Sequence, residues 1–330
     1  MATALTRRNF LSFDFGDRRG DAAPWVRVHR LAMACRFEVM LDADRTQAAR
    51  AALDEADDLE SLLTVFRDTS ETVAVNREAA KAPVAVTATL FDLLTRSAAL
   101  HAATGGAFDV TSTPLSRCWG FLQRDGRLPS PDAIDAARQV VGMNHVRLDG
   151  DTHAVQFARH GVELNFGAIG KGFALDRMGD VLRAHSVTRA LLSAGRSSVL
   201  AIGGRGRGFP VDLRPQLATR RVGRLWLRNA AVGTSGAGEQ FVEVNGRRHG
   251  HVIDPRTGRP AEGVLGASVI ARDAAAADAL STAFLIGGPV LARDYCAAHD
   301  ETLAVLVLDE PGEPAEVIGR CSGATLEMLQ

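Results

Sequence analysis

Apolar positions along the chain recur with two periods, one of two residues and one near 3.6, and their order predicts the elements. Between Val26 and Asp42 the side chains of Phe37, Val39 and Leu41 share a face, which predicts a first strand following Leu31 to Cys35. Thr46 to Val65 then repeats Ala49, Leu53, Ala56, Leu59, Leu62 and Leu63 among acidic residues, an amphipathic helix. Residues 66–77 read as a loop with short local structure, and Val84 to His101 as a second helix after Pro83. Gly105 and Gly106 lead into the apolar run Ala107 to Val110. Such a pair lets a ligand approach the backbone, or it stops one helix before a strand.

Beyond a polar loop from Gln123 to Ser130, Pro131 to Val141 reads as a short helix with Gly142 past its end. Val146 to Phe157 has the pattern of a hairpin turning at Asp149-Gly150-Asp151. Val162 to Phe166 reads as a strand that ends in Gly167-Ala168-Ile169-Gly170-Lys171-Gly172, with a helix from Phe173 to His185 behind it. Strand, glycine turn and helix together present backbone N–H groups to an anion. The spacing is neither that of a Walker A loop nor that of a dinucleotide fingerprint. Ala190 to Ile202 follows as strand, loop and strand, then Leu225 to Val232 and Gln240 to Asn245 as strands, and Asn245-Gly246 as a hairpin turn. A helix from Pro289 to His299 and a last strand from Leu303 to Leu308 close the count. Strands in hairpin pairs, without regular strand–helix alternation, predict an α+β fold with mixed or antiparallel sheets.

One stretch, His251 to Thr282, concentrates chemistry. Asp254-Pro255-Arg256-Thr257-Gly258 predicts a tight turn that anchors His251 and Asp254. After an apolar strand from Leu265 to Ala271 comes an alanine-rich helix in which Asp278 and Thr282, four apart, share a face. Two hard oxygen donors there suit Mg²⁺ or a phosphate; the alternative is an aspartate that complements a helix start beside a half-buried threonine.

Composition narrows the partners. A net charge of −1 argues against a surface built to neutralise nucleic acid, and the run Gly203-Gly204-Arg205-Gly206-Arg207-Gly208 reads as a hairpin loop with solvated arginines. Only two of the 38 basic residues are lysine, Lys81 and Lys171. Lys171, between two glycines, is the one placed where a compact ammonium enters a crowded site. The four cysteines are scattered without metal-like spacing, and no uninterrupted apolar run is long enough to predict membrane insertion. Thr6-Arg7-Arg8-Asn9-Phe10-Leu11 is similar to a twin-arginine export box, but Ser12 to Asp21 is too charged to be its apolar region. Residues 1–25 are therefore expected to be a flexible tail, residues 26–330 one domain, and the location cytoplasmic rather than periplasmic.

The order of these motifs resembles the ApbE family of flavin transferases, which move FMN from FAD onto a Thr or Ser of another protein. The matching pieces are Met33-Ala34-Cys35, Asp68-Thr69-Ser70 with Asn76, Gly106 to Leu115 with Trp119-Gly120-Phe121, Asn165 to Asp176, Thr234-Ser235-Gly236, His251 to Pro260 and Ala277 to Thr282. The resemblance implies an α+β fold with the ligand site in a cleft between two lobes. It implies that the Ala168 carbonyl, Asp278 and Thr282 hold Mg²⁺, with Ser281 assisting. It also implies that Met33, Phe66, Ala107, Phe108, Asp109, Asn165, Lys171 and His251 line the FAD site, with Lys171 meeting the phosphates. An acceptor protein carrying a Ser/Thr flavinylation motif is the implied partner, with AMP as the product released. His251 is then the candidate base, or a residue that only binds FAD or steadies its turn.

Several residues depart from the family pattern. Cys35 stands where a Thr is usual, Phe66 where a Tyr is common, Asn165 where an Asp is common, and Ala194-Gly195-Arg196 in place of Gly-Gly-Asp or Gly-Gly-Asn. Two other activities fit the same motifs: FAD hydrolysis to FMN and AMP, and flavin binding without catalysis. Ser322-Gly323-Ala324-Thr325 resembles an acceptor motif, against the plainer reading of four small residues in a polar tail.

Overall fold

The computed structural model describes residues 11–12, 24–122, 126–214, 222–237, 241–244, 247–309 and 315–328. Its centre is an eight-stranded sheet whose strands lie side by side in chain order. They are β1 (Trp25–Ala32), β2 (Cys35–Asp42), β3 (Ala190–Ala194), β4 (Ser198–Ile202), β5 (Ala230–Gly236), β6 (Val264–Ala271), β7 (Thr302–Leu308) and β8 (Glu316–Arg320). Every pairing between them is antiparallel. The predicted α+β class with antiparallel sheets is what the chain forms.

Helices cover one face. They run in the order α1 (Thr46–Leu63), α2 (Glu71–Glu78), α3 (Ala88–Ala103), α4 (Thr113–Cys118), α5 (Pro131–Arg138), α6 (Gly170–Ala184) and α7 (Ala274–Ala298). The apolar stripe predicted for α1 is its buried face: Ala49, Leu53, Ala56 and Leu59 are at most 2% exposed and join one core with Phe37, Val39 and Leu41 of β2. On the opposite face Met40, Leu191, Val199, Val232 and Ile270 pack against Phe209, Val211, Leu225 and Leu227. Those four belong to a second sheet made of Leu11–Ser12, Phe209–Leu213, Gly223–Leu227 and Ala324–Met328. Strand alternation divides the same residues between two cores, the expected behaviour of a sheet covered on both sides.

Several expectations need correcting. The alternation from Val26 to Asp42 is two strands, because Met33 and Ala34 take left-handed backbone (φ 48° and 56°) and turn the chain back on itself. Within residues 66–77, Ser70 caps α2 by accepting from Val73 N. Val162 to Phe166 joins no sheet, since its backbone is met by a side chain: Asn76 Nδ2 donates to Leu164 O and Asn76 Oδ1 accepts from Leu164 N. Leu303 to Leu308 is not the last strand, because β8 and Ala324–Met328 follow. Within the segment expected as a tail, Leu11 and Ser12 pair with Leu213 and Asp212, and Trp25 opens β1. The arginine pair before Leu11, residues 123–125 and the Asn245-Gly246 turn lie outside the described residues.

The alanine-rich helix and the one expected from Pro289 are a single element, α7, bent where Gly288 leaves helical geometry (φ 65°, ψ −163°) ahead of Pro289. By length and composition α7 would be apolar enough to cross a membrane, but 56% of its most apolar stretch is buried within the fold. It is the central helix of the core. Thr325 stands in the edge strand Ala324–Met328, paired with Trp226.

Candidate active site

The site forms where the sheet ends and the two central helices touch. Glycines permit that contact. A Cβ on Gly172 would lie 2.0 Å from the Ala274 carbonyl oxygen and 2.8 Å from Asp278 Cβ, and one on Gly233 would lie 2.4 Å from the Ala277 carbonyl oxygen. Only glycine lets α6 and β5 come this close to α7. Asp278 sits between them, 3% exposed.

The Asp278 carboxylate is held on three sides. Oδ2 accepts from Gly172 N at 3.0 Å, Oδ1 accepts from Ser198 Oγ at 3.0 Å, and Lys171 Nζ stands 3.9 Å from Oδ1. Ser198 is on β4, directly across the ladder from Gly233, so alternation aims it at the helix face of the sheet. A buried carboxylate is costly unless charge and hydrogen bonds meet it, and here both do.

One turn along α7 the predicted i, i+4 partner completes the group. Ser281 Oγ donates to the Asp278 carbonyl (2.8 Å), Ser235 Oγ lies 2.8 Å from Ser281 Oγ, and Thr282 Oγ1 lies 3.0 Å from Ser235 Oγ. A hydroxyl has one proton to give. Ser281 uses its proton on its own helix, so Ser235 donates to Ser281 and Thr282 donates to Ser235. That order makes Thr282 Oγ1 a donor to Ser235, and among the described residues no donor reaches its lone pairs.

Ala168 is the remaining residue expected at a cation. Gly172 N, the amide four residues further on, donates to Asp278, and among the described residues no backbone N–H reaches the Ala168 carbonyl. A carbonyl that no backbone N–H claims, a threonine hydroxyl oxygen and a buried carboxylate are each hard oxygen donors, the chemistry that a hard divalent cation takes. Ser281 is wholly buried and its hydroxyl is engaged, so it braces this set.

The residues expected around FAD fall into three kinds. Phe66 projects from the loop after α1 with 87% of its surface exposed, an open apolar ring. Ala107 and Phe108 are buried in the core, leaving only backbone to offer a ligand. Asp109 is spent internally: Oδ1 accepts from Thr111 N (2.8 Å) and Thr111 Oγ1 (2.6 Å), and Oδ2 lies 3.2 Å from His101 Nδ1. Its hydrogen bond to Asp109 raises the His101 pKa above the ordinary value, against the opposing effect of burial. Asn165 Oδ1 accepts from Gly167 N at 2.9 Å and so shapes the turn that leads to Lys171.

His251 packs edge-on to Phe121, with ring centroids 6.5 Å apart at 76°. Its anchoring turn is built as the sequence predicts: Gly258 N donates to Asp254 O at 2.7 Å, and Asp254 Oδ1 accepts from Arg256 N and Nε at 2.9 Å each. The turn is moored from outside by Trp119, whose Nε1 donates to Gly258 O at 2.9 Å. Ile253 packs with Leu115, Trp119, Phe121 and Ile134 in a separate small core.

Two hairpin tips stand side by side at the same end of the sheet. Met33 and Ala34 form one; Gly195 and Arg196 (φ 58° and 63°) form the other, with Gly195 N donating to Arg36 O at 3.0 Å. A Cβ on Gly195 would meet Cys35 Cβ at 3.0 Å. Sequence reading missed Ser198 as the partner of Asp278, Ser235 as the partner of Ser281 and His101 as the partner of Asp109. Ser235 carried a signal, inside Thr234-Ser235-Gly236, whereas Ser198 and His101 carried none that periodicity could separate from ordinary packing.

The chain is similar to known proteins over most of its length. A family model described as the ApbE family matches residues 33–307. The FAD:protein FMN transferase of Escherichia coli (strain K12) is 29% identical over 285 residues, covering 83% of this chain and 80% of that protein. That of Treponema pallidum (strain Nichols) is 35% identical over 260 residues, covering 72% of each. Among solved structures, the ApbE protein of Thermotoga maritima superposes with a TM-score of 0.80 at 26% identity, over 91% of this chain and 97% of that one. The apo flavinyl transferase ApbE of Pseudomonas stutzeri gives 0.78 at 26% identity, over 89% and 94%.

Proposed function

The chain belongs to the ApbE family, and from that membership together with the cluster around Asp278 we propose that it transfers FMN from FAD to a Ser or Thr hydroxyl of an acceptor protein, releasing AMP. It is an enzyme of the flavin-transferase kind, as its relatives are named. The observation that carries the finer reading is the hard-oxygen set itself: Asp278 buried, Thr282 with lone pairs that no donor reaches among the described residues, and the Ala168 carbonyl left open by the turn that supplies Lys171.

Those three residues would hold Mg²⁺, which when bound supplies positive charge to neutralise a diphosphate. Lys171, 3.9 Å from Asp278, contributes an ammonium to the same phosphates. Phe66 offers its exposed ring to the flavin, and Met33 and His251 join it in lining the pocket. Ala107 and Phe108 contribute backbone, while Asp109 and Asn165 hold the loops in shape. The acceptor hydroxyl oxygen attacks the FMN-side phosphorus, and the bond from that phosphorus to the bridging oxygen breaks. AMP leaves with the bridging oxygen. His251 takes the hydroxyl proton, since an imidazole is matched to that task near neutral pH.

Incubation of the purified protein with FAD and Mg²⁺, with and without a candidate acceptor, tests this. The expected result is AMP release that requires acceptor, together with covalent flavin fluorescence on the acceptor in a denaturing gel. AMP release at full rate without acceptor would make the protein a hydrolase, and no release under any condition would make it a flavin binder.

A further inference from the structure

We propose that Asp176 is a positioning residue for this site, holding α7 against α6 so that Asp278, Ser281 and Thr282 present their oxygens in register with Lys171 and Ala168. The inference rests on the functional reading above and extends it to a residue outside the pocket.

The geometry is reciprocal. Helix α6 gives an amide to an aspartate of α7, Gly172 N to Asp278 Oδ2 at 3.0 Å. Helix α7 gives two amides to an aspartate of α6: Ala274 N to Asp176 Oδ1 at 2.8 Å and Ala275 N to Asp176 Oδ2 at 2.9 Å. The first amides of a helix have no partner within it, and the two oxygens of an aspartate side chain there supply acceptors for two of them. A cap of that kind is normally local, and α7 has one: Asp273 Oδ1 accepts from Ala276 N at 2.8 Å. Asp176 comes from 98 residues away in the chain, so its two bonds fix one helix relative to another. The Ala274 carbonyl that would collide with a Cβ on Gly172 belongs to the same residue whose N–H Asp176 holds. The close contact and the bridging cap therefore act at one point, one turn from Asp278.

Asp273 provides the control. Asp273→Ala removes a cap of α7 without touching the bond between the helices, whereas Asp176→Asn keeps the size of the side chain and puts an N–H₂ where one amide needs an acceptor. Mg²⁺ binding to the FAD-loaded protein is measured by calorimetry for wild type and both variants, after circular dichroism confirms folding. The expected result is Mg²⁺ affinity weakened about tenfold or more by Asp176→Asn, the size seen when a residue that orients a metal ligand is removed. Asp273→Ala is expected to keep wild-type affinity. Wild-type affinity in a folded Asp176→Asn would overturn the inference alone, as would equal weakening in both variants. A wild type without a Mg²⁺ isotherm would overturn the functional reading and this inference with it. Should Asp176→Asn not fold, Asp176→Glu decides by the same titration: it retains the carboxyl group on a side chain one methylene longer, which displaces the two acceptors, and is expected to weaken Mg²⁺ in the same direction.

Discussion

Gly172 and Asp278 are bonded through the backbone of one and the side chain of the other, N to Oδ2 at 3.0 Å, across a helix contact with no room for a methyl group. Gly172→Ala is accordingly expected to force α6 and α7 apart, destabilising the protein by about 1–3 kcal/mol or more. Urea midpoints for the two proteins check this; an unchanged midpoint would mean that the helices separate freely.

Asp278→Asn preserves shape and removes the negative charge. Flavin transfer is expected to fall by roughly a hundredfold or more while the far-ultraviolet circular dichroism spectrum stays that of the wild type. Initial rates of AMP release provide the measurement, and a rate within a few-fold of wild type would remove Asp278 from the site.

The pair His101 and Asp109 predicts a pH dependence of stability. The folded pKa of His101 is raised, chiefly by its hydrogen bond to Asp109, so the folded state binds the proton more tightly than the unfolded one. Its contribution is fully present below the ordinary value of 6.5 and is lost as pH rises through the raised folded value. Unfolding free energies above pH 6.5 should fall more steeply for wild type than for His101→Gln.

Asp176 acts in an earlier window with the same sign. Burial is the largest cause of its rise from 3.8 to about 7, and the amides of Ala274 and Ala275 oppose it. The folded state therefore holds a proton that the unfolded chain has released. The associated stability is present below pH 3.8 and is lost as pH rises through about 7. Denaturant titrations between pH 4 and 8 should show that part of the slope missing in Asp176→Asn.

Trp119→Phe keeps the apolar packing but removes the donor to Gly258 O. A buried carbonyl left without a partner costs about 1–3 kcal/mol. Because the same bond moors the turn behind His251, the variant should lower kcat for transfer more than it raises KM for FAD. Steady-state kinetics decide; a change confined to KM would mean that the turn serves binding only.

Where the chemistry is local, the sequence announces it. Asp278 and Thr282 share a face because helices have a fixed period, and Lys171 is conspicuous in a chain that otherwise uses arginine. What was not legible depends on pairing between distant segments. Ser198 reaches Asp278 across 80 residues, and nothing near Ser198 distinguishes it from any small residue in a buried strand. Val162 to Phe166 has the composition of a strand, yet its partner is Asn76, a side chain whose role appears only after folding. The turn at Met33 and Ala34 escaped notice because neither residue favours the backbone it adopts.

That last mismatch has a consequence of its own. Met33, Ala34 and Arg196 hold left-handed backbone where glycine or asparagine would rest more easily, at a cost of roughly 1–2 kcal/mol per residue. The chain tolerates this in two adjoining hairpin tips at one end of the central sheet, as it also does at His153, Ser186 and Glu301. Glycine at any of these positions would relieve the strain but widen the conformational freedom of the unfolded chain, so the two effects oppose each other in the net stability of the tips.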